Sequence, residues 1–128
     1  MFNPYKSDNG AVMPNEYLPA AAGEYKAGQL LLVDSGQVTP VDADTATTPP
    51  YLCLYEGTIE DGEVIAVARI RKDFIYETTL AAATATAAVG VKLLVADEGL
   101  QVKAGAGTFE LVYVEDTAAN STVRGRFV

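Results

Sequence analysis

The apolar residues of this chain come in short bursts, each ended within a few residues by a glycine, a proline or an acidic turn. Leu30-Leu31-Leu32-Val33 runs into Asp34-Ser35-Gly36, and Val64 to Arg71 follows Glu60-Asp61-Gly62. Lys92 to Ala96 ends at Asp97-Glu98-Gly99, and Leu100 to Lys103 is followed by Gly105-Ala106-Gly107. Thr108 to Val114 and Thr122 to Val128 complete the series. Bursts of this length, rich in Val, Ile, Leu and Tyr and closed by turn residues, are strands. The spacing leaves no room for long amphipathic helices, so the predicted class is all-β.

Several segments carry finer expectations. Gln37 to Val41 returns as a strand, with Pro40 marking an edge or a strand end. Asp42 to Pro50 is a polar, threonine-rich loop. Tyr51-Leu52-Cys53-Leu54-Tyr55 is apolar throughout, which predicts a central strand buried on both faces. A charge at Leu52 or at Leu54 should then prevent folding. Lys72-Asp73 kinks or bulges the chain before Phe74-Ile75-Tyr76. Leu80 to Ala88 is open to two readings, a short helix or an irregular connector, because alanine favours helix while Thr84 and Thr86 weaken it. In the last strand Val123, Gly125 and Phe127 alternate with Arg124 and Arg126, the pattern of a half-buried strand.

The bursts also repeat. Gly28-Gln29-Leu30-Leu31-Leu32-Val33 resembles Gly90-Val91-Lys92-Leu93-Leu94-Val95, and Tyr51 to Glu56 resembles Phe109 to Glu115. Ala68-Arg69-Ile70 resembles Gly125-Arg126-Phe127. The spacing suggests two copies of one β unit of about 60 residues, spanning 24–78 and 88–128, whose small sheets close on each other. Shared hairpin chemistry is the alternative source of the likeness.

Residues 1–23 read differently. Pro4, Pro14 and Pro19 block helix, yet Phe2, Tyr5, Val12, Met13, Tyr17 and Leu18 are more apolar than a plain linker requires. The expectation is an extended N-terminal arm that packs either on its own body, residues 24–128, or on a partner.

Charge and residue type exclude much chemistry. With a formal net charge of −8, the chain lacks the cations needed to grip a phosphate backbone or an anionic membrane surface. No apolar run reaches the length of a membrane span, and Met1 to Lys6 has no signal-peptide core. The chain contains no histidine, which removes the Ser-His-Asp triad, the Cys-His pair and imidazole metal ligation. The single Cys53 lies inside an apolar run and reads as a small buried hydrophobe, consistent with synthesis in a reducing cytoplasm. Carboxylate pairs such as Glu60-Asp61 and Glu115-Asp116 fall at turns and match no calcium-loop spacing. No catalytic residue, cofactor or metal site is expected. The arginines are more patterned: Arg69 and Arg71 near one strand end and Arg124 and Arg126 in the second unit are either charged gatekeepers on exposed strands or a cationic contact surface.

The order Ala27-Gly28-Gln29-Leu30-Leu31-Leu32-Val33, Gly36 to Asp42, Leu52 to Glu56 and Val64 to Arg69 resembles the lambda-type bacteriophage head decoration proteins. A related group of capsid-cement proteins repeats the unit, beginning its second copy with a motif like Val89 to Val95 and ending in one like Val123 to Val128. The resemblance implies a small β-barrel or β-tulip body and a homotrimer bound to the major capsid protein on the outer surface of the virion head. It also implies an arm that joins the shell. The candidate contact residues are Phe2, Tyr5, Val12, Tyr17 and Leu18 from the arm, with Arg69, Arg71, Arg124 and Arg126. The alternative function is a carbohydrate- or ligand-binding β module of a phage tail or host-surface structure, which a groove between two tyrosines would favour.

Overall fold

The computed structural model describes residues 1–128. The strands are β1 (Asn3–Ser7), β2 (Asn15–Pro19), β3 (Gly23–Tyr25), β4 (Leu30–Asp34), β5 (Gln37–Pro40), β6 (Tyr51–Cys53) and β7 (Gly57–Ile59). They continue with β8 (Val64–Arg69), β9 (Phe74–Thr79), β10 (Lys92–Ala96), β11 (Gln101–Lys103), β12 (Phe109–Val114) and β13 (Thr122–Phe127). The helical content is one 3₁₀ turn at Asp97–Gly99. The class is all-β, but the sheets are open, so the barrel expectation is corrected. Leu80 to Ala88 is an irregular connector, pinned by Ala81 N–H to Val102 O and Thr84 N–H to Thr117 O, both 2.8 Å.

Two sheets carry the same design. One runs β2-β8-β6-β4-β5, and the other runs β9-β13-β12-β10-β11 with β1 added outside β9. The bonds outside the strands repeat as well. Gly28 N–H reaches Cys53 O at 2.9 Å, and Gly90 N–H reaches Leu111 O at 2.8 Å. Cys53 N–H returns to Gln29 O, and Leu111 N–H returns to Val91 O. Ala20 N–H meets Glu63 O and Leu80 N–H meets Ser121 O, while Ala21 and Ala81 donate to Val38 and Val102. Gly28 and Gly90 adopt left-handed φ values of 89° and 91°, which only glycine reaches cheaply. The same strand and hydrogen-bond plan thus occurs twice, in unit 1 built on β2, β4, β5, β6 and β8 and in unit 2 on β9 to β13; the expected bounds 24–78 and 88–128 are corrected, because β2 at Asn15–Pro19 joins unit 1 and β9 at Phe74–Thr79 joins unit 2.

The register corrects one detail of the repeat. Tyr51 lies opposite Arg69, and its counterpart Phe109 lies opposite Phe127. Arg69 therefore corresponds to Phe127, not Arg126. A one-residue slip moves a side chain to the other sheet face, so a short sequence likeness can align residues that point in opposite directions.

The units stack front to back. On the front of unit 1, Leu31, Val38, Tyr51, Cys53, Ile65 and Val67 are buried with Tyr25 and Ile59 of the β3–β7 hairpin. On its back, Leu30 and Leu52 join the larger cluster formed by the front of unit 2, including Leu93, Phe109, Leu111, Val123 and Phe127. Side chains alternate across a strand, so one sheet can feed two cores. Thr45 and Val95 exchange backbone bonds of 2.9 and 3.1 Å across the junction, and Gln29 Nε2 donates to Glu98 O at 2.8 Å. Gly99 fits there because a Cβ would stand 2.7 Å from Leu30 O.

Residues 1–23 are not a separate arm. β1 pairs with β9, and β2 pairs with β8 over all five of its residues. Phe2 is fully buried, with ring centroids 5.7 Å from Phe109 and 6.1 Å from Phe127. The prolines do not oppose this. Pro4 and Pro19 occupy edge-strand positions whose missing N–H faces outward, where proline is tolerated. The Tyr51–Tyr55 run is corrected too: Tyr51–Cys53 is buried between β4 and β8, whereas Leu54 and Tyr55 are exposed beyond the strand.

Candidate binding surfaces

The side chains capable of chemistry do not converge. The Cys53 thiol is buried and donates to Tyr55 O at 3.1 Å, and burial pushes its pKa up, away from the nucleophilic thiolate. No group of three or more Cys, Asp or Glu side chains is placed to hold a metal ion. Every buried side-chain nitrogen and oxygen has a hydrogen-bond partner, so no orphaned polar atom marks a ligand.

The candidate contact residues separate. Phe2 lies in the core and cannot meet a partner; the apolar character that marked it as a contact belongs to a buried side chain. Leu18 is half-buried against the front cluster of unit 1. Tyr5, Val12 and Tyr17 are exposed, each at a different place: on β1, in the turn after it, and on β2. Val12 borders a shallow hollow of about 290 Å³ between that turn, Tyr5 and Phe74.

The arginines do not form one cationic surface. Arg69 stands on the front of unit 1, donating to Tyr51 Oη at 2.8 Å and pairing with Glu16 at 3.4 Å. Arg71 lies beyond β8 and is held by Asp73 at 2.9 Å; this hydrogen-bonded pairing raises the Arg71 pKa and lowers that of Asp73. Arg124 and Arg126 stand on the back of unit 2, paired with Glu77 at 2.8 Å and Asp8 at 3.0 Å. Each positive charge has its own carboxylate, which leaves little unbalanced cationic field.

Arg124 also lies between two tyrosines, 3.9 Å from the Tyr5 centroid and 4.6 Å from that of Tyr113. β1 supplies Tyr5, β13 the guanidinium and β12 Tyr113, so the stack ties three strands on one face. Tyr113 is absent from the sequence-based candidates because its place depends on a register shift between Leu111 and Tyr113.

A cleft of about 520 Å³ opens between the β3–β7 hairpin and unit 2. Its lining includes the Met1 amine, Glu24, Lys26, Glu56, Asp97 and Asn120, so both signs of charge are present. Burial lowers the pKa of the Met1 amine, and Asp97 opposes that shift. This cleft was not legible in sequence, since its walls come from both ends of the chain.

A third surface lies on the back of unit 1 beyond its contact with unit 2. Tyr17, Val64 and Leu54 are exposed there, with Tyr17 opposite Ala66 and Pro19 opposite Val64. Val64 and Leu54 are also missing from the sequence-based candidates. Period-two alternation along β8 places Val64 with Ala66, but only the pairing to β2 joins them to Tyr17. No protein family, curated protein or solved structure matches this chain.

Proposed function

We propose that this protein is a non-catalytic decoration, or cement, protein that binds the outer surface of a bacteriophage head and stabilises it. It would act as a homotrimer on the major capsid protein, after synthesis in the bacterial host cytoplasm. The observation that carries this reading is the tandem β unit. The glycine turns, the Ala/Thr/Asp loop at residues 42–50 and the strands on which the resemblance rests take ordered places in a duplicated body. The dispersal of chemically capable side chains and the presence of exposed apolar surface also suit binding better than turnover.

The test is to mix the purified protein with undecorated, expanded heads of a lambda-type phage and to sediment them. Saturable co-sedimentation is expected. Protein that stays wholly in the supernatant while the heads pellet intact contradicts the reading. The alternative, a carbohydrate-binding module, draws on the exposed Tyr5 and Tyr113 beside Arg124 and Glu77. Binding to immobilised glycans, lost in Tyr113→Ala, would replace the first reading by the second.

A further inference from the structure

The two units differ at one edge. In unit 2 the outer side of β9 is closed by β1, whose Tyr5 lies over the back of the sheet. In unit 1 the corresponding strand is β2; past Pro19 the chain bridges to β5 through Ala20 and Val38, as Leu80 bridges to Val102 in unit 2, but no strand takes the place of β1 along the outer side of Asn15 to Leu18. We infer that the β2 edge is a docking site for an extended segment of another protein, added as an antiparallel strand with an apolar side chain laid on Tyr17, Leu54 and Val64.

The backbone is prepared for such a strand. Ala20 donates inward to Glu63 O, so Leu18 and Glu16 also bond toward β8 in the antiparallel alternation. Asn15, Tyr17 and Pro19 therefore turn their backbone groups outward. The edge offers the N–H groups and carbonyls of Asn15 and Tyr17, while the Pro19 carbonyl faces β5 at the Ala20–Val38 bridge. In unit 2 the matching outward positions of β9 are those opposite β1, at Glu77 and Ile75.

The adjoining face is prepared as well. Tyr17 is 68% exposed, Val64 60% and Leu54 38%, with Ala66 between them. At the matching positions unit 2 places polar groups, among them Glu77 opposite Arg124 and Thr79 opposite Thr122. The back of unit 1 thus keeps an apolar floor where unit 2 has charges and its own covering strand. A bare edge with apolar flanks is a template for strand addition.

The surroundings of the edge also narrow the occupant. It is not β1 of a second copy, because withdrawing β1 would pull Phe2 from the core where it is fully buried. The acidic turn Glu60-Asp61-Glu63 lies beside the Pro19 end of the edge. An antiparallel occupant has its N-terminal end there, so a Lys or Arg at that end is favoured. The chain's net charge of −8 disfavours an acidic segment. This inference is independent of the capsid reading.

The probe is a capped peptide with the sequence of residues 2–7, Phe-Asn-Pro-Tyr-Lys-Ser, the strand that unit 2 already accepts. It is titrated to millimolar concentration against isotope-labelled full-length protein. The expected result is saturable movement of the Asn15 and Tyr17 amide resonances, with slowed exchange of both. Tyr17→Pro removes an outward N–H without touching the β2–β8 bonds and should weaken binding by roughly tenfold or more. Leu54→Lys, which leaves the edge intact, should weaken it too and serves if the proline variant does not fold. Unmoved Asn15 and Tyr17 resonances at the highest peptide concentration overturn the proposal. So does a free protein that sediments as a multimer with both amides already protected, since the edge would then belong to a second copy.

Discussion

Unit 1 and unit 2 share a ladder and reverse the treatment of one face. Leu30 and Leu52 on the back of unit 1 stand where unit 2 has Lys92 and Glu110. The leucines are buried in the central cluster, and the charged pair faces outward. The fronts are alike in being apolar but differ in cover: the β3–β7 hairpin closes unit 1, and unit 1 itself closes unit 2. The comparison teaches that the backbone plan sets where strands lie, while side-chain polarity on the back decides where stacking stops. A unit with an apolar back accepts a neighbour, and a unit with a charged back ends the pile.

The strongest way to break this comparison is to give unit 1 the back of unit 2. Leu52→Asp places an unpaired carboxylate at the junction, where Leu52 is 1% exposed. The expected cost is about 3–5 kcal/mol or more, enough to abolish soluble folding, read from yield and thermal unfolding. Leu54→Asp, the next same-face position, should change stability by less than about 1 kcal/mol, because Leu54 is exposed. Equal effects would mean that the back of unit 1 is buried along its whole length.

Phe2→Ala tests the closure of unit 2. Removing a fully buried aromatic side chain should cost about 3–5 kcal/mol by chemical denaturation. A free arm would tolerate the change.

Tyr76 sharpens the comparison by pH. It faces Gly125 in unit 2, as Glu16 faces Val67 in unit 1, but its hydroxyl is buried, accepting from Arg71 N–H at 3.1 Å. Burial raises its pKa from 10.0 to about 12. Above pH 10 the unfolded chain loses this proton while the folded chain keeps it. Stability therefore falls as pH rises from about 10 to 12, by about 2–3 kcal/mol from this group. Tyr76→Phe should flatten most of that slope in urea titrations at alkaline pH, and Tyr25, shifted upward by its own burial, supplies the same sign of residual.

The smallest effect belongs to the surface pairs. Arg126→Ala removes a pairing with Asp8 at 3.0 Å and should cost no more than about 1 kcal/mol, less in high salt. A larger loss would make that pair a real clasp between β13 and the turn after β1.

The likeness of the two strand runs was legible in sequence because turn glycines and apolar bursts are local features, whereas the bounds of the units were not, because β2 and β9 join their sheets through long-range pairing. Gly28 with Gly90, and Leu31 with Leu93, already align by eye. The faces were not legible, because a face depends on register, and Arg69 against Phe127 differs by one residue from the sequence match. Residues 1–23 misled for a different reason. Prolines are read as breaks in a chain considered alone, yet Pro4 and Pro19 only mark strand positions whose missing N–H points away from the paired neighbour. The open edge beside Tyr17 emerged from comparing the copies, and no single segment encodes it.

Native-state hydrogen exchange at matched positions tests the account most directly. Ile75 and Glu77 of β9 face β1, whereas Asn15 and Tyr17 of β2 face an open side. The account predicts slow exchange at Ile75 and Glu77, near the global unfolding free energy, and fast exchange at Asn15 and Tyr17. Fast exchange at all four would mean that β1 is a loose arm. Slow exchange at all four would mean that the β2 edge is already covered. Either result contradicts the asymmetry on which the account rests.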